Sequence, residues 1–344
     1  MKKSFFILAA AAVVLAGCNN DVTLDENTAL AGSNAQKEIA FTTLSHTPKR
    51  SVRRAPVRET EFPTTSDMQV AAWDVTNGRN FFTHTTFSYS GASTIWKGGK
   101  YWPLSAAYIN FLAYANFQGT AGSETNGATW ATNEASQVTL VMTDNKTAQK
   151  DLMYAIGNGE VEQSDNALTF PTNVPMAFKH AQAWISFYAD AYDATSGGKV
   201  TLNSITLNGA KYNGTYTITH TNYDADDEQS VAGAWSSLGS TANVAVPSWD
   251  AAAIAYDSEG DGVEVGDGLL IVPDDDDETA DFASFTINYT LDGNTYNYTY
   301  TPSARNVDQA KHYIYKINFH LHEIEINAEV TGWADQTPVA VPVF

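Results

Sequence analysis

The chain has 344 residues, which at roughly 150 residues per domain is length for about two domains, each with its own core. Charged residues make up 17% of it, and 19 Lys plus Arg stand against 39 Asp plus Glu for a formal charge of -20, so a polyanion such as nucleic acid is repelled. A single cysteine, Cys18, excludes intrachain disulfides, zinc-ribbon sites and dithiol redox chemistry, while 38 Thr, 17 Tyr and 16 Phe are the vocabulary of half-buried strands.

At the N-terminus Lys2 and Lys3 precede an apolar run from Phe5 to Ala16, shorter than the ~20 residues a membrane-spanning helix needs and typical of a secretory signal. The run ends in Leu15-Ala16-Gly17-Cys18, which resembles the lipobox of bacterial lipoproteins. By that resemblance residues 1–18 are the signal segment and Cys18 carries the lipid, whose chains anchor through about 0.8 kcal/mol per buried CH₂. The alternative is an ordinary signal peptide with a chance cysteine.

Residues 19–36 are rich in Gly, Ala, Asn and Asp and read as a flexible tether. Ile39, Phe41 and Thr43 then alternate with Ala40, Thr42 and Leu44, a short strand pattern. After it, Pro48 to Arg58 holds five basic residues in eleven positions. Such a cluster on an acidic chain is either a solvated basic linker or a loop cut by an arginine-specific protease.

From Met68 onward short β-type segments alternate with turn clusters, and the spacing suits β-sandwiches. Asp67 to Trp73 and Tyr108 to Tyr114 are strand-like, the second with the continuous apolar character of a buried strand. Only short helices are expected, for example around Thr147 to Asp151 and Val307 to Ala310. Pro171 and Pro175 bracket a polar interruption before the strand Ala183 to Tyr188, which sets an expected boundary near residue 172. Phe285 to Leu291 and Thr295 to Tyr300 flank an Asp292-Gly293 hairpin turn. His312 to Phe319 and Ile324 to Val330 supply two last strands. The acidic excess lies late: between Lys211 and Arg305 there is no basic residue and there are 17 acidic ones.

Candidate chemistry is thin. Asp257-Ser258-Glu259-Gly260-Asp261-Gly262 has the alternating acids of a calcium loop, but position twelve falls on Gly268 instead of a bidentate Glu, so a solvated acidic loop is the simpler use. The run Asp274 to Asp277 reads as an acidic turn. His320 and His322 share a strand face, yet two imidazoles without a third ligand are not a zinc site, so no metal and no other cofactor is expected. His84, His180 and His220 have no nucleophile motif beside them, and there is neither a G-x-S-x-G nor an H-E-x-x-H sequence, so no catalytic residue is assigned. Eight Trp and 17 Tyr are either core residues or, in part, an exposed aromatic platform for glycans.

Several segments in order resemble the fimbrillin family, the subunits of type V pili: the lipobox, the strand Ile39 to Thr43 ahead of Arg53-Arg54-Ala55, then Lys100-Tyr101-Trp102-Pro103, Asp151 to Ala155, Phe178 to Ala183, Leu269 to Pro273, Lys311 to Tyr315 and Val330 to Trp333. The resemblance implies an all-β fold of two transthyretin-like β-sandwich domains in tandem, 55–172 and 173–344, behind a propeptide at 19–54. It implies cleavage between Arg54 and Ala55, with Arg50, Arg53 and Arg58 as other candidate sites, and assembly by strand donation. The natural donor is the tail 334–344, where Val339, Val341 and Val343 share one face, Ala340, Pro342 and Phe344 take the other, and no charge follows Asp335. Pro342 cannot donate to a ladder, and a tail that pairs within its own domain is the alternative. The partners implied are other pilin subunits, the outer membrane through the lipid, an Arg-specific protease and a host surface or glycan, in a cell-surface fimbria. Rivals are a tip adhesin of the same family and a glycan-binding surface lipoprotein.

Overall fold

The fold is a set of mostly antiparallel sheets, with parallel pairing at two places, packed around buried apolar strand faces. A computed structural model describes residues 36–43, 62–91, 95–116, 129–130, 136–142, 145–147, 149–164, 167–191, 198–221, 230–258, 262–274, 279–320 and 324–332. In chain order the strands are β1 (Glu38–Thr43), β2 (Met68–Asp74), β3 (Arg79–Tyr89), β4 (Ile95–Tyr101), β5 (Ala107–Asn116), β6 (Thr129–Trp130), β7 (Ser136–Met142), β8 (Leu152–Ser164), β9 (Ala167–Thr169), β10 (Val174–Met176) and β11 (Lys179–His180). They continue with β12 (Ala183–Ala191), β13 (Val200–Ala210), β14 (Gly214–Thr221), β15 (Ser230–Ser236), β16 (Ala242–Ala245), β17 (Ala252–Ala253), β18 (Val263–Glu264), β19 (Leu269–Ile271), β20 (Ser284–Leu291), β21 (Asn294–Tyr300), β22 (Lys311–Phe319) and β23 (Ile324–Gly332).

The first sheet runs β10-β1-β4-β3-β2-β5-β8-β11, with β9 on β8. It does not lie flat. β3 pairs with β2 from Arg79 to Phe87 and with β4 at Ser88 and Tyr89, and register breaks at Ala72 and a positive φ at His84 bend it between the two. That corner folds the sheet over one core, in which Ile39, Phe41, Met68, Val70, Phe87, Trp96, Ile109 and Phe111 are buried.

A second core lies between β18-β12-β22-β23 with β19, and β16-β13-β20-β21 with β17. β12 is its central strand, buried along nearly its whole length and paired in parallel with β22, and its odd-numbered residues Ile185 and Phe187 point inward.

A smaller sheet, β15-β14-β7-β6, draws strands from both halves of the chain. Its core does the same, joining Leu112, Tyr114, Leu140 and Tyr154 to Tyr216, Ile218, Trp235 and Val272. Two bonds lock this junction: Trp235 Nε1 donates to the Ala181 carbonyl at 2.6 Å, and Tyr216 donates its hydroxyl proton to Gln309 Oε1 at 2.8 Å. The two-faced burial of β5 has its reason here, since Ile109, Phe111 and Ala113 fill the first core while Leu112 and Tyr114 fill the shared one.

The two short helices expected from the sequence are turns. Gln149 and Ala310 have φ of 47° and 57°, a left-handed conformation that no right-handed helix accommodates. At the first turn the Asn145 carboxamide holds the Lys150 amide and carbonyl in place of helical bonding.

Candidate functional site

β1 is short, comes from far upstream of the sheet it completes, and is enclosed on both sides. It pairs antiparallel with β4, Phe41 opposite Trp96 and Thr42 opposite Ile95. Its other edge pairs in parallel with β10, Phe41 opposite Val174 and Thr43 opposite Met176. Side chains repeat every second residue in a strand, so Ile39, Phe41 and Thr43 point into the first core, at 0%, 0% and 8% exposure. Phe41 meets Phe87 and Phe111 edge-on, with ring centroids 4.7 and 5.1 Å away. Burying Ile39 and Phe41 contributes about 1.5–3 kcal/mol each, and the aromatic contacts add a further ~0.5–1.5 kcal/mol per pair.

Polar groups fix the start of the strand. The Trp102 amide donates to the Lys37 carbonyl at 2.9 Å, and Glu38 accepts from Lys97 Nζ at 2.9 Å and from the Gly99 amide at 3.2 Å. The Glu38–Lys97 pair is partly exposed and contributes under about 1 kcal/mol.

The walls of this slot are as specific as its occupant. β10 contains Pro175, which has no N–H to give, and β10 pairs with no strand but β1 among the described residues. Proline is tolerated there because it lies on a sheet edge. β10 sits close because β8 carries Gly157 beneath it: a Cβ at that position would lie 2.7 Å from Val174 Cγ1 and 3.0 Å from the Pro175 carbonyl oxygen. Without β1, the bonding edges of β4 and β10 would open, and the faces of Phe87, Phe111, Val174 and Met176 would line an apolar groove between them.

The residues singled out in the sequence distribute unevenly around this slot. Ile39 to Thr43 form its filling. Cys18, Arg54, Ala55 and the neighbouring arginines, and Val339, Val341, Val343 and Phe344, lie outside the described residues. His320 falls beyond the end of β22 instead of on a strand face, with Nε2 3.6 Å from Glu325, and His322 lies outside the described residues. His180 is buried against Asp151, Nδ1 to Oδ1 3.0 Å, and His84 bonds the Tyr114 hydroxyl at 2.6 Å while burial holds its imidazole below the ordinary value. Asp257 ties its own loop by accepting from the Gly262 amide, and its backbone donates to Asp190. Trp96 and Trp102 are core residues, and Trp184 stacks on His312 at 3.6 Å. Two features gave no signal in the sequence: β10 as the second wall, disguised by its proline, and a row of exposed tyrosines on β21.

The fold and slot define a class: an all-β protein of tandem sandwiches whose first described strand is enclosed between β4 and β10. A family model described as fimbrillin-like matches residues 54–333. The chain belongs to that fimbrillin-like family. Among solved structures, a putative cell adhesion protein from Bacteroides uniformis is 13% identical, covering 87% of this chain and 99% of its own, with a TM-score of 0.49. A fimbrial protein from Bacteroides vulgatus is 14% identical over 87% and 100%, TM-score 0.44, and the fimbrial anchor protein Mfa2 from Porphyromonas gingivalis is 11% identical over 87% and 98%, TM-score 0.30. No curated protein sequence matches the chain.

Proposed function

We propose that this chain is a structural subunit of a surface fimbria, exported as a lipoprotein and polymerised by exchange of its N-terminal strand for a strand of another subunit. The observation that carries the proposal is the enclosure of β1 between β4 and β10. It ties a strand encoded upstream of an arginine-rich segment into the first core, between strands encoded downstream of that segment. The precursor, held by lipid on Cys18 in the outer membrane, has this slot filled and its edges satisfied. Cleavage between Arg54 and Ala55 by an Arg-specific protease cuts the covalent link that holds β1 in place, and once β1 leaves, an open edge templates pairing with another chain. The division into two domains, expected at 55–172 and 173–344, belongs to the same proposal, with β10 and β11 assigned to the first domain because they pair in the first sheet.

The incoming strand is the tail of another subunit. Val339, Val341 and Val343 repeat the spacing of Ile39, Phe41 and Thr43, so they suit the same three inward positions, and Phe344 adds an apolar end. Pro342 costs the pairing one ladder hydrogen bond. Entry by β-augmentation joins unlike surfaces of successive subunits, and such a contact propagates instead of closing.

The test is to treat the purified precursor with an Arg-specific protease and follow its size. A ladder of detergent-resistant oligomers, lost when residues 339–344 are deleted, supports the proposal. A cleaved protein that stays monomeric at high concentration overturns the stalk role and favours a tip or glycan-binding subunit, which a glycan array on the uncleaved form would address.

A further inference from the structure

We propose that the β21 edge is a self-complementary contact by which two copies of this chain pair side by side, antiparallel, about a two-fold axis through Asn297. β21 is the last strand of its sheet and pairs with β20 alone among the described residues. Six of its seven residues are exposed, Tyr296 at 44% and Tyr298 at 38%. It carries none of the devices that blunt natural edges, for Asn294 to Tyr300 contains no charge, no proline and no bulge.

The sequence reads the same in both directions about Asn297: Thr295-Tyr296-Asn297-Tyr298-Thr299. The backbone register agrees with that symmetry. Leu291 and Asn294 close a two-residue turn whose central residues, Asp292 and Gly293, have φ of 52° and 77°, so they form a hydrogen-bonded pair and the pattern alternates from there. Asn294, Tyr296, Tyr298 and Tyr300 bond inward to β20. Thr295, Asn297 and Thr299 turn their amide and carbonyl groups outward. In an antiparallel pair centred on Asn297, these are the residues that meet, Asn297 opposite itself and Thr295 opposite Thr299, for roughly six ladder hydrogen bonds.

The side chains repeat contacts that the fold already makes. Asn203 Nδ2 donates to Asn288 Oδ1 and Asn288 Nδ2 to Asn297 Oδ1, each at 2.7 Å, so Asn297 is the last rung of an amide ladder and its own Nδ2 is free to continue it. The Thr286–Thr299 and Thr290–Thr295 hydroxyl pairs, at 3.2 and 3.3 Å, have the chemistry a Thr295–Thr299 pair would have. On the other face Tyr296 stacks on Tyr289 with centroids 5.5 Å apart, and across the axis it would meet Tyr298 of the second copy. Charge favours the antiparallel orientation. On a chain of net charge -20, β20 and β21 form an uncharged strip, and antiparallel pairing sets Asp292 beside the segment leading to Arg305, where parallel pairing would set Asp292 beside itself. One strand pair buries less than the ~1,200 Å² of a standard interface, so the contact is weak between single chains and strong where many copies are aligned.

The inference does not depend on strand exchange, and its test uses the uncleaved chain with Cys18→Ala as background. Under mild oxidation Asn297→Cys should form a disulfide dimer, because the paired Cα atoms lie within bridging distance. Thr295→Cys should not dimerise alone, since its copies sit about 13 Å apart along the strands, but should cross-link when mixed with Thr299→Cys. Asn297→Lys, with folding checked by circular dichroism, should weaken self-association in sedimentation equilibrium by up to about 5-fold by placing like charges on the axis. Absence of the Asn297→Cys dimer, or dimerisation of Thr295→Cys alone at an equal rate, overturns the proposal.

Discussion

Asp281 shows how one buried residue sets a local pH response. Its carboxylate is 1% exposed and accepts from the backbone amides of Asp274 and Val307, which tie together the segments before β20 and β22. Burial pushes its pKa above the ordinary 3.8; the two amides and Lys211 oppose that rise, and the Asp274 charge adds to it. A carboxyl raised in the folded state binds more protons there than in the unfolded chain. Its contribution is therefore fully present below the ordinary carboxylate range and is lost as pH rises through the raised value. Asp281→Asn has no such dependence but presents an NH₂ group to one of the two amides, at a cost of about 1–3 kcal/mol. In urea unfolding the variant should be the less stable protein at pH 3.5, and the gap should narrow toward pH 6. A gap that widens with pH would mean that the amides and Lys211 outweigh burial.

At the scale of elements, the slot around β1 depends on a missing side chain as much as on those present. Gly157→Val would drive its side chain into Val174 and the Pro175 carbonyl, and overpacking of this kind costs typically ~1–3 kcal/mol. β10 has no other strand partner among the described residues, so it should yield before β8 does. Hydrogen exchange would then quicken at Thr42, whose amide faces β10, while the amides of β2 and β5 keep their protection. Uniform loss of protection would instead mean that β10 and β8 open as one unit.

This element also marks the limit of what the sequence discloses. β1 was legible because Ile39, Phe41 and Thr43 alternate cleanly, and the β20–β21 hairpin because Asp-Gly fits a turn with two positive φ values. β10 was not, because Pro175 argues against a strand unless the strand is known to lie on an edge, and edges are a property of the assembled sheet. The shared sheet of β7 and β14 was illegible for a related reason: its partners are about eighty residues apart, and alternation fixes a face but not a neighbour. Tyr296 and Tyr298 alternate as buried tyrosines do, and nothing local told that their sheet ends there.

For the whole molecule, the balance of charge decides how readily subunits meet. Residues 1–54 hold 7 basic and 4 acidic residues, so residues 55–344 carry 12 against 35, a net charge of -23 where the full chain has -20. Under the proposed exchange, removing the N-terminal segment would thus open the pairing edge and strengthen the repulsion between the chains that pair. The proposed donor tail is uncharged beyond Asp335, so no local attraction offsets this. Repulsion acts on encounter over a Debye length, about 30 Å at 0.01 M salt and about 8 Å at 0.15 M. Strand exchange itself rests on ladder bonds and apolar pockets, which moderate salt leaves nearly unchanged. Growth of oligomers after protease treatment should accelerate between 10 and 150 mM salt (roughly the range over which screening becomes effective), with the final length distribution little altered. If light scattering instead shows growth slowing as salt rises, an attraction between opposite charges steers assembly, and the basic residues left after Arg54 become the place to look for it.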